Sequence, residues 1–212
     1  MELMSGYYRQ NDDSLSLLLQ QYVCGGVPIC LGCICGGEKR EAGIRGGSIT
    51  GWLLKGFRRM HLCKVVRKPD TFLKKLERNL KIYWEEYCAS QDFWTAGIMC
   101  IGSDFLLFYR GAVRLFLCNT YFGHPSLQLI GENEQSESEE LRFRRGRMES
   151  DIGILLASES FCQKLSMGEL RNCLAVQDIT DASQTQKRIK ELGSAAEKKG
   201  SRNMAALLLE IR

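Results

Sequence analysis

Residues 29–37 read ICLGCICGG, an apolar run that holds three cysteines and ends in two glycines. Together with the apolar segment SLSLLL at residues 14–19, this run predicts two neighbouring strands, each short and bounded by polar residues or glycine. The glycine-rich segment GGEKREAGIRGG continues to residue 47, and a helix is predicted from residue 48 to about residue 60. The stretch is therefore a strand that ends in a glycine turn and leads into a helix.

Four cysteines, Cys24, Cys30, Cys33 and Cys35, offer the thiolates of a hypothetical zinc site. Structural zinc is usually held by two C-x2-C pairs, and only Cys30 and Cys33 have that spacing. We further expect Cys33 and Cys35 to point to opposite faces of their strand, which would keep them from binding the same ion. A nucleotide-phosphate loop is disfavoured as well, because the order G-x-x-x-x-G-K-[ST] is missing. The cysteines are therefore expected to be buried or half-buried thiols.

The rest of the chain alternates between groups of strands and groups of helices. Leucine and aromatic residues recur at three- and four-residue steps between residues 71 and 89, which predicts an amphipathic helix. Strands are predicted between residues 96 and 119, with a turn at Arg110-Gly111, and an acidic loop is predicted at about 131–140. A strand follows at 153–158, and a helix begins at the capping box Ser166–Glu169. The last two predicted elements are a helix over 182–199 and a strand over 204–212. This order favours a layered α+β fold over a doubly wound parallel sheet.

The composition is that of an ordinary globular domain. The chain has 212 residues, of which 44% are hydrophobic and 25% charged, and we expect a single domain over residues 1–212. The net charge of +4 does not indicate nucleic-acid binding, and the arginines 142, 144, 145 and 147 follow an acidic segment and lack an aromatic platform. There is no apolar run of membrane-spanning length and no signal-peptide pattern at the N-terminus. We therefore expect a cytoplasmic protein with mostly reduced thiols and with neither nucleic acid nor membrane as partner.

Several segments, taken in order, resemble the metal-dependent protein phosphatases (the PPM family, type 2C). The stretch ICLGCICGGEKREAG resembles that family's D-G-x-G-G loop, in which a strand ends and a helix follows. The five positions are occupied by Cys33, Ile34, Cys35, Gly36 and Gly37. Both closing glycines are kept, and a cysteine stands at the position of the aspartate.

Four other segments extend the resemblance along nearly the whole chain. YYRQNDDSL is similar to the opening R-x-x-N-E-D element, although Arg9 is one residue closer to Asn11. CIGSDFLLFYRG is similar to the V-G-D-S-R-x-Y-x-x-R-x-G hairpin, with Ser103 at the position of the aspartate. DIGILLASESF resembles the G-D-x-x-L-L-x-S-D-G-L strand, with Glu159 at the aspartate. KKGSRNMAALLLEI resembles the closing G-S-x-D-N-x-T strand, with Asn203 and Met204 replacing Asp and Asn.

This resemblance implies a four-layer α/β/β/α sandwich with two central antiparallel sheets. It also implies a site for two Mg²⁺ or Mn²⁺ ions that polarise a phosphate and supply a bridging hydroxide. The four carboxylate positions of that site would be filled by Asp12 or Asp13, Cys33, Glu159 and Asn203, with Arg9 contacting the phosphate. We expect Asp12, Asp13, Cys33, Gly36, Glu159 and Asn203 to converge at one edge of the sandwich.

Two functional hypotheses remain open on the sequence alone. Hard dications need carboxylate ligands, and the loss of Asp at Cys33 and Asn203 favours a pseudophosphatase that binds or scaffolds a protein, including one phosphorylated on Ser or Thr. Any Mg²⁺ or Mn²⁺ would then be bound weakly or partially. The alternative is an active, divergent serine/threonine phosphatase with shifted ligands, drawn from Asp12, Asp13 and Glu159 together with Asp104 or Glu38.

Overall fold

The computed structural model describes residues 2–10, 12–37, 40–88, 93–121, 124–130, 140–148, 152–174 and 182–211. The strands in these ranges are β1 Leu3–Arg9, β2 Leu15–Cys24, β3 Val27–Gly36, β4 Trp94–Ile101, β5 Asp104–Arg110, β6 Val113–Tyr121, β7 His124–Leu129, β8 Arg142–Arg147, β9 Ile152–Ser158 and β10 Ala205–Ile211. The helices are α1 Arg40–Arg58, α2 Leu62–Arg67, α3 Pro69–Tyr87, α4 Glu159–Gln163, α5 Met167–Leu174 and α6 Ala182–Lys198. Among the described residues, no helix is both long and apolar enough to cross a membrane.

The strands form two five-stranded antiparallel sheets. One sheet has the order β1-β10-β9-β6-β7 and the other has the order β2-β3-β4-β5-β8. In the second sheet the pairs β2–β3 and β4–β5 are hairpins. The β2–β3 hairpin turns at Gly25 and Gly26, whose φ angles are +58° and +77°. Glycine is favoured at both positions because a two-residue hairpin turn with two positive φ angles strains other residues.

The core has three layers of apolar side chains, which together define a four-layer sandwich. The first lies between α1–α3 and the β3 sheet, with Leu53, Leu73 and Trp84 on its helix side. The second lies between the two sheets, where Ile34 and Ile98 face Leu207 and Leu209. The third lies between the β10 sheet and α4–α6. The α/β/β/α sandwich that the resemblance implied is confirmed.

Helix positions differ from the predictions mainly in their starting points. Helix α3 agrees with the predicted amphipathic helix to within two residues, whereas α1 begins at Arg40, eight residues before the predicted start. Its first two turns contain Gly43, Gly46 and Gly47, and these glycines indicated a loop. Of the three, Gly46 packs tightly against the sheet, where a Cβ would lie 2.6 Å from the Cβ of Cys35, whereas a Cβ at Gly47 would meet nothing within 4 Å.

The arginine-rich segment RFRRGR is an edge strand, β8. Its arginines are mostly exposed, and Arg145 forms ion pairs with Asp70 and Glu77 of α3. Charged side chains are common on edge strands because they discourage pairing with other chains. Of the predicted acidic loop, residues 131–139 lie outside the described residues.

Candidate functional site

One end of the sandwich, here called the Asn203 end, collects loops from both sheets. The strand register places Leu15 opposite Gly36, and Gly36 opposite Trp94. In the other sheet Arg9 lies opposite Ala205, and Val113 lies opposite Ser158. The end therefore comprises the turn at residues 12–14, the end of β3, the β5–β6 turn, the end of β9 and the start of β10.

Asp12 and Asn203 are brought together through Ser14. The Ser14 amide donates to Asp12 Oδ1 at 2.8 Å, and its hydroxyl donates to Asn203 Oδ1 at 2.9 Å. Asp12 also closes the turn through its backbone, since the Leu15 amide donates to the Asp12 carbonyl at 3.2 Å. One oxygen of each candidate ligand is thus occupied by a hydrogen bond within the protein.

Ser158 and Ser160 hold the backbone around Asn203. The Ser160 hydroxyl donates to the Asn203 carbonyl at 2.8 Å, and Ser158 Oγ accepts from the Ala205 amide at 3.2 Å. Asn203 itself has φ +55°, a left-handed conformation that Asn tolerates better than most residues. The predicted ligand position is therefore a tight turn fixed from both sides by hydroxyl groups.

Glu159 lies at the same end but turns towards Arg114. Its Oε1 is 2.5 Å from Arg114 Nη2, and its amide donates to the Ala112 carbonyl at 2.8 Å. Both side chains are partly exposed. The carboxylate that the resemblance assigned to a metal is thus paired with a guanidinium, a charge-assisted contact that competes with cation binding.

Arg9, Asp13 and Arg202 are exposed charged residues at this end. The Arg9 side chain makes a long contact, 3.4 Å, from Nη1 to the Leu15 carbonyl. A guanidinium has five N–H donors, so this single contact leaves Arg9 able to bind an anion.

Cys33 does not reach the Asn203 end. It lies inside β3, three residues and so about 10 Å before Gly36, and its side chain is fully buried. Its Sγ is 3.6 Å from that of Cys35 and 3.7 Å from Thr95 Oγ1. Burial raises the pKa of the Cys33 thiol, which therefore stays neutral.

The expectation that Cys33 and Cys35 face opposite sides of the strand is wrong. Side chains two residues apart in a strand share a face, and both thiols lie in the core layer beneath α1–α3. The intervening Ile34 points to the other face, into the layer between the sheets. The separation of 3.6 Å places the two sulfurs as neighbours in a dry cluster with Thr95.

The remaining predicted positions are distributed as follows. Gly36 and Gly37 are buried at the Asn203 end, and a Cβ on Gly36 would collide with the Trp94 ring at 2.5 Å. Met204 is buried among the side chains under α4–α6. Ser103 lies in the β4–β5 turn, at the end of the sheet opposite Gly36, where the neighbouring Asp104 pairs with Arg147. Glu38 and Asn11 lie outside the described residues.

The residues at this end do not fit a pair of divalent cations. In the described part of the chain, no three His, Cys, Asp or Glu side chains are grouped closely enough to hold one metal ion. Asp12 and Glu159 are committed to Ser14 and Arg114, and Asn203 is uncharged. We therefore derive no chemical step that runs through bound metal.

Sequence reasoning missed three residues that shape this end: Ser14, Ser160 and Arg114. Their partners are Asn203, 189 and 43 residues away in the chain, and Glu159, 45 residues away. A serine beside the Asp pair is a weak signal for a turn, but its long-range partner cannot be read from one sequence.

Comparison with known proteins bears on the fold. No family model and no curated protein sequence matches the chain. The serine/threonine phosphatase Stp1 from Staphylococcus aureus has a similar structure, with a TM-score of 0.65 at 11% identity over 100% of this chain and 96% of that one. For PppA from Pseudomonas aeruginosa, a key regulatory component of T6SS, the TM-score is 0.61 at 15% identity, over 99% and 98% of the two chains.

A third similar structure contains metal. The catalytic domain of the serine/threonine protein phosphatase PstP, in complex with two manganese ions, gives a TM-score of 0.57 at 13% identity, over 98% of both chains. At such identities the likeness concerns the backbone. Over its full length, the chain has the fold of the PPM-type serine/threonine phosphatases.

Proposed function

We propose that this chain is a PPM-type pseudophosphatase domain that binds a phosphorylated protein partner at the Asn203 end without hydrolysing the phosphate. The observation that carries the proposal is the hydrogen-bonded chain Asp12–Ser14–Asn203 at the position where the resemblance expects metal-binding carboxylates. The fold supports the comparison with PPM-type phosphatases, and the side chains at the Asn203 end support a change from hydrolysis to binding.

The charge at this end supports the loss of two-metal chemistry. Two dications about 3.5–4 Å apart repel each other strongly and need several anionic oxygens to stay together. Here Asn203 is neutral, the Cys33 thiol is buried away from the end, and Arg114 adds a positive charge beside Glu159. Any Mg²⁺ or Mn²⁺ bound by Asp12, Asp13 or Glu159 would be held weakly.

The β5–β6 turn lacks a further carboxylate that the resemblance would place at the Asn203 end. In the quoted hairpin motif, the glycine of G-D-S-R precedes the arginine by three residues, and Gly111 and Arg114 have the same spacing. Unlike Ser103, this turn lies at the Asn203 end, since the Glu159 amide contacts the Ala112 carbonyl. With the motif shifted to this turn, Ala112 occupies the position of the aspartate.

The groups that remain suit recognition of a phosphate. Arg9 is exposed, and a guanidinium pairs with phosphate through two parallel hydrogen bonds. The resemblance assigns the same residue to phosphate contact. A phosphoserine or phosphothreonine of a protein is therefore the proposed ligand, because the similar structures of Stp1 and PstP are of serine/threonine phosphatases.

Turnover of an aryl phosphate in millimolar Mn²⁺ tests the first half of the proposal. We expect the wild-type chain, Asp12→Ala and Asp13→Ala to show the same background rate. Asp70→Ala is the matched control, because it removes an exposed carboxylate on α3. A wild-type rate that falls in Asp12→Ala or Asp13→Ala, but not in Asp70→Ala, would establish the active divergent phosphatase instead.

Binding of a phosphoserine peptide tests the second half. Arg9→Ala should weaken binding by about tenfold, the loss expected for one charge-assisted contact. Arg78→Ala removes an exposed arginine from α3 and serves as control. Equal affinities for the phosphorylated and unphosphorylated peptides would overturn phosphate recognition.

A further inference from the structure

Two cysteines outside the Asn203 end lie side by side at the surface. Cys24 is the last residue of β2, and Cys63 is in the short helix α2. Their sulfur atoms are 3.6 Å apart, Cys63 is exposed and Cys24 is partly exposed. The contact joins the β2–β3 hairpin to the helical layer above it.

This pair differs from the other eight thiols of the chain, and all ten cysteines lie in the described ranges. Six cysteines are buried: Cys30, Cys33, Cys35, Cys88, Cys100 and Cys118. Cys33 and Cys35 are also 3.6 Å apart, but both are fully buried. Only partly exposed Cys162 and Cys173 remain, and they belong to α4 and α5. A dissolved oxidant therefore meets two adjacent thiols at Cys24 and Cys63.

We propose that Cys24 and Cys63 form a reversible oxidation site, at which a peroxide converts the two thiols to an intramolecular disulfide. The Cys63 thiolate attacks one peroxide oxygen, the O–O bond breaks, and a sulfenic acid forms with release of hydroxide or water. The Cys24 sulfur then attacks the Cys63 sulfur, the S–O bond breaks, and the oxygen leaves as water with the Cys24 proton. Both sulfurs are oxidised, and one peroxide is reduced to two waters.

The assignment of roles follows from exposure. Cys63 is the member that an incoming peroxide reaches first, because Cys24 is partly covered. The hydrogen bond with Cys63 raises the pKa of the Cys24 thiol. Cys24 therefore keeps its proton until the second step, in which that proton is needed by the leaving oxygen.

The local structure can accommodate the bond. A disulfide requires an S–S distance near 2.05 Å, so the sulfurs must approach by about 1.5 Å. Cys24 precedes the Gly25-Gly26 turn, around which a Cβ would meet nothing within 4 Å. Helix α2 has only six residues, so both partners lie on small elements at the surface.

Closure would stabilise the fold without reaching the Asn203 end. The disulfide would enclose residues 25–62, which include β3 and α1, and so would restrict the unfolded chain. Since β2 runs from Leu15 at the Asn203 end to Cys24, the bond lies about 30 Å from that end. Oxidation should therefore raise the melting temperature and leave phosphopeptide affinity unchanged.

Peroxide treatment of the reduced full-length chain, followed by peptide mapping, tests the proposal. We expect a linked peptide containing Cys24 and Cys63, a melting temperature raised by roughly 5–10 °C, and reversal of both by dithiothreitol. Cys24→Ser should instead retain a sulfenic acid at Cys63, trapped by dimedone. Cys173→Ser is the control and should behave as wild type.

Two outcomes would overturn the proposal. One is a peroxide-treated wild-type chain in which no Cys24–Cys63 peptide is found. The other is the same rise in melting temperature in Cys63→Ser as in the wild type. Neither outcome bears on phosphate recognition, which is tested by Arg9→Ala without peroxide.

Discussion

Two polar clusters of this molecule differ in whether an ion pair holds them together. Beneath α6, the fully buried carboxylate of Glu210 accepts hydrogen bonds from Arg188 Nη2 at 2.5 and 2.6 Å and from Thr185 Oγ1 at 2.6 Å. At the Asn203 end, Asp12 and Asn203 are joined by hydrogen bonds through Ser14, and no cationic side chain takes part in them. The chain thus keeps an ion pair where charge joins a helix to a sheet, and has a neutral amide where the resemblance expects a metal-binding carboxylate.

The difference indicates that the fold and the site are specified by separate sets of residues. The Arg188–Glu210 pair contributes to packing between α6 and β10, whereas the chemistry of a phosphatase depends on loop ends. Substitutions in the Arg188–Glu210 cluster should therefore affect stability and leave phosphopeptide affinity unchanged.

Glu210→Gln should have the largest effect. It removes the charge that neutralises Arg188, which is mostly buried, and breaking a buried ion pair costs about 3–5 kcal/mol. Urea unfolding would measure the loss, while phosphopeptide affinity should stay unchanged. Asp70→Asn, in the exposed pair with Lys74, is the control and should leave the unfolding midpoint unchanged. Equal urea midpoints for Glu210→Gln and wild type would show that the buried ion pair does not stabilise the fold, against the difference drawn between the two clusters.

Asn203→Ala should have an intermediate effect on stability, about 2 kcal/mol. Alanine tolerates the left-handed conformation poorly and cannot accept the Ser14 hydrogen bond. Asn203→Gly loses only the hydrogen bond, so it should cost about 1 kcal/mol. The same urea experiment separates the two terms, and equal losses in the Ala and Gly variants would show that the conformation contributes nothing.

Glu169→Gln should have the smallest effect, and the size of that effect should depend on pH. Lys199 and the Ser166 cap lower the pKa of Glu169 to about 2, below its usual value of 4.5. A carboxyl with a lowered pKa contributes stability that is fully present above the unfolded pKa and is lost as the pH falls through the folded one.

The melting-temperature difference between wild type and Glu169→Gln should therefore be constant above about pH 5 and vanish near pH 2. Glu191→Gln alters a long surface pair, Glu191–Lys187 at 3.9 Å, and is the matched control. A difference that persisted unchanged at pH 2 would argue against the Glu169 charge as its source.

Much of the fold could be predicted because its signals are local. The amphipathic pattern of α3, the apolar run of β3 and the Ser166–Glu169 capping box each depend on neighbours within a few residues. The order of these elements, with the resemblance, was enough to predict four layers.

Features that depend on distant partners could not be predicted. Strand β1 has no strong strand pattern, and its Gly6 is explained only by the α6 backbone, which a Cβ would approach to 2.7 Å at the Thr185 carbonyl. The depth of Cys33 depends on how far β3 extends beyond it, which motif spacing does not give. The contact of Ser14 with Asn203 depends on the register of β1 against β10.

The tryptophans are distributed unevenly over the sandwich, so tryptophan fluorescence reports on only part of it. Trp52, Trp84 and Trp94 are the three tryptophans of the chain, and they lie on α1, α3 and β4, within one sheet and its helices. Neither the β10 sheet nor α4–α6 contributes an indole. Intrinsic fluorescence therefore follows the α1–α3 side and, through Trp94, the layer between the sheets, whereas far-ultraviolet circular dichroism follows the whole sandwich. A mismatch between the two signals would reveal that the layer under α4–α6 loosens separately.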